Sequence, residues 1–254
     1  MAMEDVVEVE RRADIAILRF NRPGALNALN HALRTGIVAA LEELNADAGT
    51  RAVVLTGAGK AFCAGIDLKE AIAVTPEQVP EWFGEMRDVY AAIRRMDKPT
   101  VAAINGVAAG GGFQMALVCD MRVGQPATRM GQPEINAGIP SVLGAFWMSL
   151  HLGMSLNMEL SYTGRLMAAE ECRAVGLLNR LAGEGGALEA AMQTAGELAA
   201  KSPVAYRHTK RQYVAVTQAA FDQAFQAGVE GQQECYAAGE PQARMAAFMQ
   251  KKQG

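Results

Sequence analysis

The sequence lacks most of the features that announce a metal, a disulfide framework or a nucleic-acid partner. Its four cysteines, Cys63, Cys119, Cys172 and Cys235, lie far apart. No Cys-x-x-Cys pair or cysteine–histidine cluster is present, so the spacing signals neither zinc nor paired half-cystines. Scattered single thiols suit a reducing compartment. There is no basic excess: 24 Lys and Arg against 27 Asp and Glu leave a formal net charge of −3. Binding to a phosphate backbone wants clustered positive charge, so nucleic acid is not expected as a partner. The opening run MAMEDVVEVERRAD has no apolar core of the secretory kind, and a cytoplasmic location is expected. Neither a G-x-G-x-x-G fingerprint nor a P-loop is found, which argues against Rossmann-type or P-loop nucleotide binding. His31, His151 and His208 are isolated, and none joins a serine or cysteine in a nucleophile motif.

What is present is the composition of an ordinary globular chain: 254 residues, half of them apolar and a fifth charged. That length buries a sizeable core without staples. The longest charge-free run, Pro99 to Cys119, is long enough to cross a bilayer. It carries Asn105, Gln114, Gly106 and the triplet Gly110-Gly111-Gly112, so a buried, ligand-facing segment is expected rather than a membrane span.

The alternating runs Val6–Arg11 and Asp14–Phe20 predict a hairpin, followed by a turn at Asn21–Gly24. Asn30 is placed to cap a helix whose apolar residues Leu33, Ile37, Val38, Leu41 and Leu44 recur at helical spacing. Arg51–Thr56, Thr100–Ile104 and Met121–Val123 read as buried strands. A helical stretch from Pro76 to about Met96 separates the first two, and a short helix beginning near the glycine triplet separates the last two. This alternation predicts an α/β core. From Leu143 onward the signals are almost wholly helical, with a Ser-cap, Pro-first start at Ser202-Pro203. The expected division is an α/β core over residues 1–200 and a helical region over 201–254. That helical region either packs on a neighbouring subunit or folds back on its own core.

Three segments carry candidate chemistry: Gly59–Lys69, Asn105–Gln114 and Gly131–Pro140. The first two place small residues after a buried strand and before a helix, where backbone N–H groups can approach an anion. The glycines equally make tight turns. The third holds Glu134 beside an apolar run free of other carboxylates to His151. A carboxylate in such a place is either a structural cap or a general base with a raised pKa. Cys63 and the pair Phe146-Trp147 are expected to be core, with Trp147 the one that could border a ligand.

In this order and spacing the chain resembles the crotonase superfamily, the enoyl-CoA hydratase/isomerase family. The resemblance rests on Asn21-Arg22-Pro23 with Ala25–Leu29, Val53–Gly57, Phe62–Asp67, Lys98-Pro99 leading to Asn105-Gly106, the glycine triplet, Cys119-Asp120, Gly131–Glu134 and Leu160–Gly164. It implies a spiral of ββα turns with a helical C-terminal trimerisation region, assembled as a homotrimer or a dimer of trimers. It also implies acyl-coenzyme A substrates and no metal or redox cofactor; neither nucleic acid nor a membrane is expected as partner from the charge balance and the polar residues of the longest charge-free run. The N–H groups of Ile66 and Gly111 are implied as an oxyanion hole, Glu134 as the catalytic acid–base, and Ala64, Asp67, Leu68 and Lys69 as substrate-binding residues. Lys251 and Lys252 are implied contacts to the coenzyme of a neighbouring subunit.

One departure from the hydratase pattern is decisive. The position after Gly110-Gly111-Gly112-Phe113, a second glutamate in hydratases, is Gln114. A neutral amide holds a water or a substrate oxygen but exchanges no proton near pH 7. One-base Δ3–Δ2 isomerisation through Glu134 is therefore the leading reading. Hydration with Gln114 orienting the water comes second, and a non-catalytic acyl-CoA-binding scaffold is the alternative from another class. Gly24 stands where many relatives have a lysine, and Ser141-Val142 where dehalogenating or dienoyl-isomerising relatives place an aspartate.

Overall fold

The computed structural model describes residues 6–251. Strands β1 (Val7–Arg12) and β2 (Ile15–Phe20) form the antiparallel hairpin, paired from Val7 with Phe20 to Arg12 with Ile15. Helix α1 (His31–Ala46) starts where expected, with the Asn30 side chain accepting from the Leu33 amide. Strand β3 (Ala52–Gly57) runs parallel to β2 and is buried along its whole length. A short strand β4 (Ala61–Cys63) and a single helical turn α2 (Leu68–Ala71) follow, then helix α3 (Val79–Arg95). Next come β5 (Thr100–Ile104), β6 (Val107–Ala109), α4 (Gly111–Val118), β7 (Met121–Gly124) and β8 (Arg129–Gly131).

The C-terminal half contains α5 (Val142–Ser149), α6 (Met154–Thr163), β9 (Leu166–Ala168), α7 (Ala169–Ala174), β10 (Arg180–Leu181) and α8 (Ala187–Ala199). It ends in the 35-residue α9 (Pro203–Ala237) and α10 (Glu240–Lys251). Lys252 lies outside the described residues. The two short strands in this half are the part that an almost wholly helical reading misses.

Among the described residues, ten strands form two sheets. The larger has the order β1-β2-β3-β5-β7-β10, and the smaller β4-β6-β8-β9. Period-two alternation decides what each strand of the larger sheet faces. Ile15, Ile17, Val54, Val101 and Ala103 pack with Ala191, Ala195 and Ala199 of α8. Ala16, Leu18, Phe20, Val53, Leu55, Ala102 and Ile104 point the other way, into the core shared with α1 and α3. Parallel strands covered on both faces read as continuous apolar runs, which is why β3 and β5 are so evident in the sequence.

Helix α9 folds back on its own chain, packing against α3 and α5. Its Lys210 donates to Asp120 Oδ2 at 2.7 Å, and the same carboxylate accepts from the Thr100 amide at 2.7 Å. One buried ion pair thus ties the helix to the end of β5. Trp147 is core: it is 2 % exposed and packs edge-on against Tyr90 and tilted against Phe146 and Phe221. Among the described residues, no helix is long and apolar enough to cross a membrane.

A second buried ionic group fixes the first three helices. The Arg34 side chain is 1 % exposed and pairs with Glu70 on α2 and Glu85 on α3 at 2.5 and 2.7 Å. Its Nη1 also donates to the Leu29 carbonyl at 2.7 Å, and Trp82 Nε1 donates to Glu70 at 2.7 Å. Replacing such a cation leaves two carboxylates facing each other without the charge that balances them. Arg34→Met is therefore expected to cost roughly 3 kcal/mol, a fall in Tm on the order of 10 °C for a chain of this size. Thermal unfolding by circular dichroism checks this; an unchanged Tm contradicts the assigned role.

Candidate active site

All three segments singled out in the sequence leave the same end of the smaller sheet. Strands β4 and β6 are parallel, with Ala61 opposite Val107 and Cys63 opposite Ala108. Strands β6 and β8 are parallel as well, with Ala109 opposite Gly131. The chain therefore emerges side by side at Ala64-Gly65-Ile66, at Gly110-Gly111 and at Gln132-Pro133-Glu134. Ile66, Gly111, Gln114 and Glu134 line one cavity.

The first loop is pinned by a bridge to the start of α1. Leu29 donates to the Gly65 carbonyl at 2.8 Å, and Asp67 donates to the Leu29 carbonyl at 3.3 Å. This pattern leaves out the amide of Ile66. Gly111 opens α4, and a helix's first N–H has no intrahelical acceptor. Neither amide meets an acceptor among the described residues. Gly65 has φ +97°, and a Cβ there would lie 2.9 Å from the Ala109 carbonyl and 3.5 Å from the Gly111 nitrogen. The two loops touch at that glycine, and only a residue without a side chain allows it.

Glu134 opens a short 3-10 turn, Glu134–Ala137, directly after Pro133. Its carboxylate lies against Gly110, whose φ is +53°; a Cβ at that glycine would be 2.5 Å from Oε1. Oε2 is shielded from solvent and has no hydrogen-bond partner. Burial pushes the carboxyl up to about 8, while the Gln114 and Gln132 amides oppose the rise. The shift places a proton-exchanging group near neutral pH.

Gln114 is buried on α4, and its amide bridges two groups. Nε2 stands 3.4 Å from Glu134 Oε1, and Oε1 accepts from the Tyr90 hydroxyl at 3.1 Å. A carboxylate only accepts, so the amide end facing an ionised Glu134 must be the NH2. Tyr90 holds the opposite end and keeps that orientation. The position where a hydratase has a second acid thus presents an N–H donor. Burial and the nearby Glu134 push the Tyr90 phenol well above its ordinary value, so it stays a donor. Tyr90 sits at core spacing on α3, and nothing in the sequence separates it from Met86 or Ile93.

The remaining candidates are placed differently. Asp67 caps α2, accepting from the Lys69 amide at 3.0 Å, and pairs with Arg22 at 2.9 Å. Its carboxylate is spent on holding the loop. Ala64 is half-buried and donates to the Leu26 carbonyl at 3.0 Å. Leu68 is half-buried and Lys69 exposed, both just beyond the Ile66 loop. Cys63 is fully buried with its thiol pushed up to about 12 by desolvation, which makes it inert packing. His151 lines a separate cavity of about 520 Å³ between α9 and α5 that contains none of the site residues. Burial and Arg122 lower its pKa to about 4, so it is neutral there.

A sequence model of the family described as enoyl-CoA hydratase/isomerase matches residues 10–254. The chain belongs to the enoyl-CoA hydratase/isomerase family. It is 31% identical over 254 residues to a short-chain-enoyl-CoA hydratase of Clostridium acetobutylicum, covering 99% of this chain and 97% of that protein. It is 40% identical over 204 residues to the mevalonyl-coenzyme A hydratase SIDH of Beauveria bassiana, covering 74% and 71%. The crystal structure of an enoyl-CoA hydratase/isomerase from Xanthobacter autotrophicus Py2 superposes with a TM-score of 0.87 at 28% identity, covering 98% and 93%. The crotonase fold expected from the motifs is therefore the fold observed.

Within this family member, the Tyr90–Gln114–Glu134 chain makes a specific prediction. Tyr90→Phe frees the Gln114 amide to turn, and turnover should fall roughly three- to tenfold, the worth of one hydrogen bond, with KM nearly unchanged. A carboxylate has no such orientation to lose. In a Gln114→Glu background the same Tyr90→Phe step should cost less than about twofold. Equal losses in both backgrounds, measured as kcat, would show that Tyr90 acts only by packing.

Proposed function

We propose that this chain hydrates 2-enoyl-coenzyme A thioesters, with Ile66 and Gly111 holding the thioester oxygen and Glu134 moving the proton. The observation that carries the reading is the single buried carboxylate set beside two backbone N–H groups that have no other acceptor. The names of the relatives in Clostridium and Beauveria, both hydratases, support hydration over other chemistry of the family.

In the proposed cycle a water donates one hydrogen bond to Glu134 and accepts one from Gln114 Nε2. Its oxygen bonds to C3 while Glu134 takes the proton. The electron pair of the C2–C3 double bond moves to C2 and the thioester oxygen, where the two amides receive the charge. One such donor is worth about 2.7–4 kcal/mol. Glu134 then returns the proton to C2, so the product is the 3-hydroxyacyl thioester and the carboxylate is regenerated. No second acid is needed, because burial alone has raised Glu134 far enough to be both base and acid. Ala64, Leu68 and Lys69 flank the path by which the coenzyme would reach the loop, and the thioester is the substrate rather than a resident cofactor.

A second reading is favoured by the same lone carboxylate. Glu134 could take a proton from C2 of a 3-enoyl thioester and return it to C4, shifting the double bond without water. Ultraviolet absorbance decides between the two. Loss of the conjugated 2-enoyl band means hydration, and its appearance from a 3-enoyl thioester means isomerisation. Binding with no change in either describes a scaffold and defeats the catalytic reading. Glu134 acts as a base only when ionised, so kcat/KM should rise with pH through about 8 and level off above it. Glu134→Gln should lower turnover at least about a hundredfold and abolish that rise.

We also propose a homotrimer or a dimer of trimers. The outer face of α9 exposes Tyr213 and Val216 at 71 and 66 %, and α6 exposes Met154 and Tyr162 at 68 and 67 %. Light scattering on the purified protein should give the mass of three or six chains; the mass of one chain would exclude the assembly.

A further inference from the structure

The wall of the site cavity contains an amide that nothing in the proposed mechanism uses. Gln232 on α9 is 3 % exposed and lines the cavity with Glu134 and Gln114. Its side chain makes no hydrogen bond to any described residue. The helix reaches this far because two of its residues have no side chain. A Cβ on Gly228 would lie 3.1 Å from Phe83 Cε1, and one on Gly231 3.3 Å from Pro140 Cγ. Helix α9 is thereby seated on α3 and on the Pro140 turn, which delivers Gln232 to the cavity.

The Ser141 hydroxyl, next to the cavity-lining Pro140, is also without a partner. A polar side chain buried in a cavity wall without a partner is destabilising and rare, so Gln232 points to a ligand that supplies the missing bonds. The residues lining the cavity include no cation. A carboxylate on the ligand would stand unpaired beside Glu134, which excludes an acidic acyl chain. A hydroxyl both donates and accepts, matching an amide that offers both. The cavity is narrow and walled by α3, α9 and the Pro140 turn, so a short chain fits it better than a long one.

We propose that the site selects a short acyl thioester whose chain carries a neutral hydroxyl, held by the Gln232 amide. The proposal deepens the acyl-coenzyme A reading above and rests on it. It is tested with saturated thioesters, which bind without reacting. Dissociation constants are measured by calorimetry for butyryl-CoA against 4-hydroxybutyryl-CoA, and for pentanoyl-CoA against 5-hydroxypentanoyl-CoA. The wild-type protein should favour the hydroxylated member of at least one pair by about tenfold or more. In Gln232→Leu that ratio should fall to within about twofold of one. Gln232→Met, close to glutamine in volume, repeats the measurement if the leucine variant does not fold. A wild-type ratio near one in both pairs, or a ratio that persists in the Gln232 variants, overturns the proposal and leaves acyl-CoA binding intact. Failure to bind any of the four thioesters overturns both.

Discussion

The register of three short parallel strands is the constraint on which the site depends. Strands β4, β6 and β8 are only three residues each, yet their pairing sets Gly65-Ile66, Gly110-Gly111 and Glu134 at neighbouring strand ends. A slip of one residue in any of them would turn its loop to the other face. The glycines serve this arrangement. At Gly65 the two donor loops touch, and at Gly110 the carboxylate of Glu134 takes the place of a side chain. Two amides and one acid are thus brought together by backbone pairing, before any side chain selects a ligand. The Arg34 ion pairs and the Asp67 cap then hold the Ile66 loop from the helical side.

Electrostatics in the cavity are simple because Glu134 is the one acid among its lining residues. A second glutamate at position 114 would couple to Glu134, and the two would share a titration. Gln114 removes that coupling and leaves burial as the largest influence on Glu134. The price is orientation: an amide has two unlike ends, and only one of them suits a carboxylate neighbour. Tyr90 meets that need from α3 with a phenol that burial keeps protonated. The substitution that weakens the classical two-acid pattern in the sequence therefore comes with a compensating residue in space.

How much of this was legible in the sequence follows from the length of each signal. The hairpin, β3, β5 and the Asn30-capped helix are long enough to show their period, and the structure reproduces them nearly residue for residue. The three-residue strands have no period to show. The family resemblance supplied what periodicity could not, namely that Ile66, Gly111 and Glu134 belong together. It was silent on residues that act from helices. Tyr90 has the spacing of a core residue. Gln232 sits in a helix where Gln218, Gln223, Gln226 and Gln233 share its chemistry, and only burial distinguishes it. The cap that Asp67 makes to the Lys69 amide and its pair with Arg22 were likewise not visible in the sequence, because Arg22 lies 45 residues away.

The site thus has two halves with different origins. The Ile66 and Gly111 amides and Glu134 come from strand ends, where hydrogen-bonded register leaves little freedom. The walls beyond them come from α3, the Pro140 turn and α9, held by packing such as the stacked pair Phe83–Phe225 at 5.2 Å. Packed helices tolerate changes of side chain more readily than paired strands tolerate changes of register. A fold built this way can keep the strand-end arrangement fixed while the helical wall varies. In this chain the wall holds the Gln232 amide without a partner, which a hydrocarbon chain alone would leave unsatisfied.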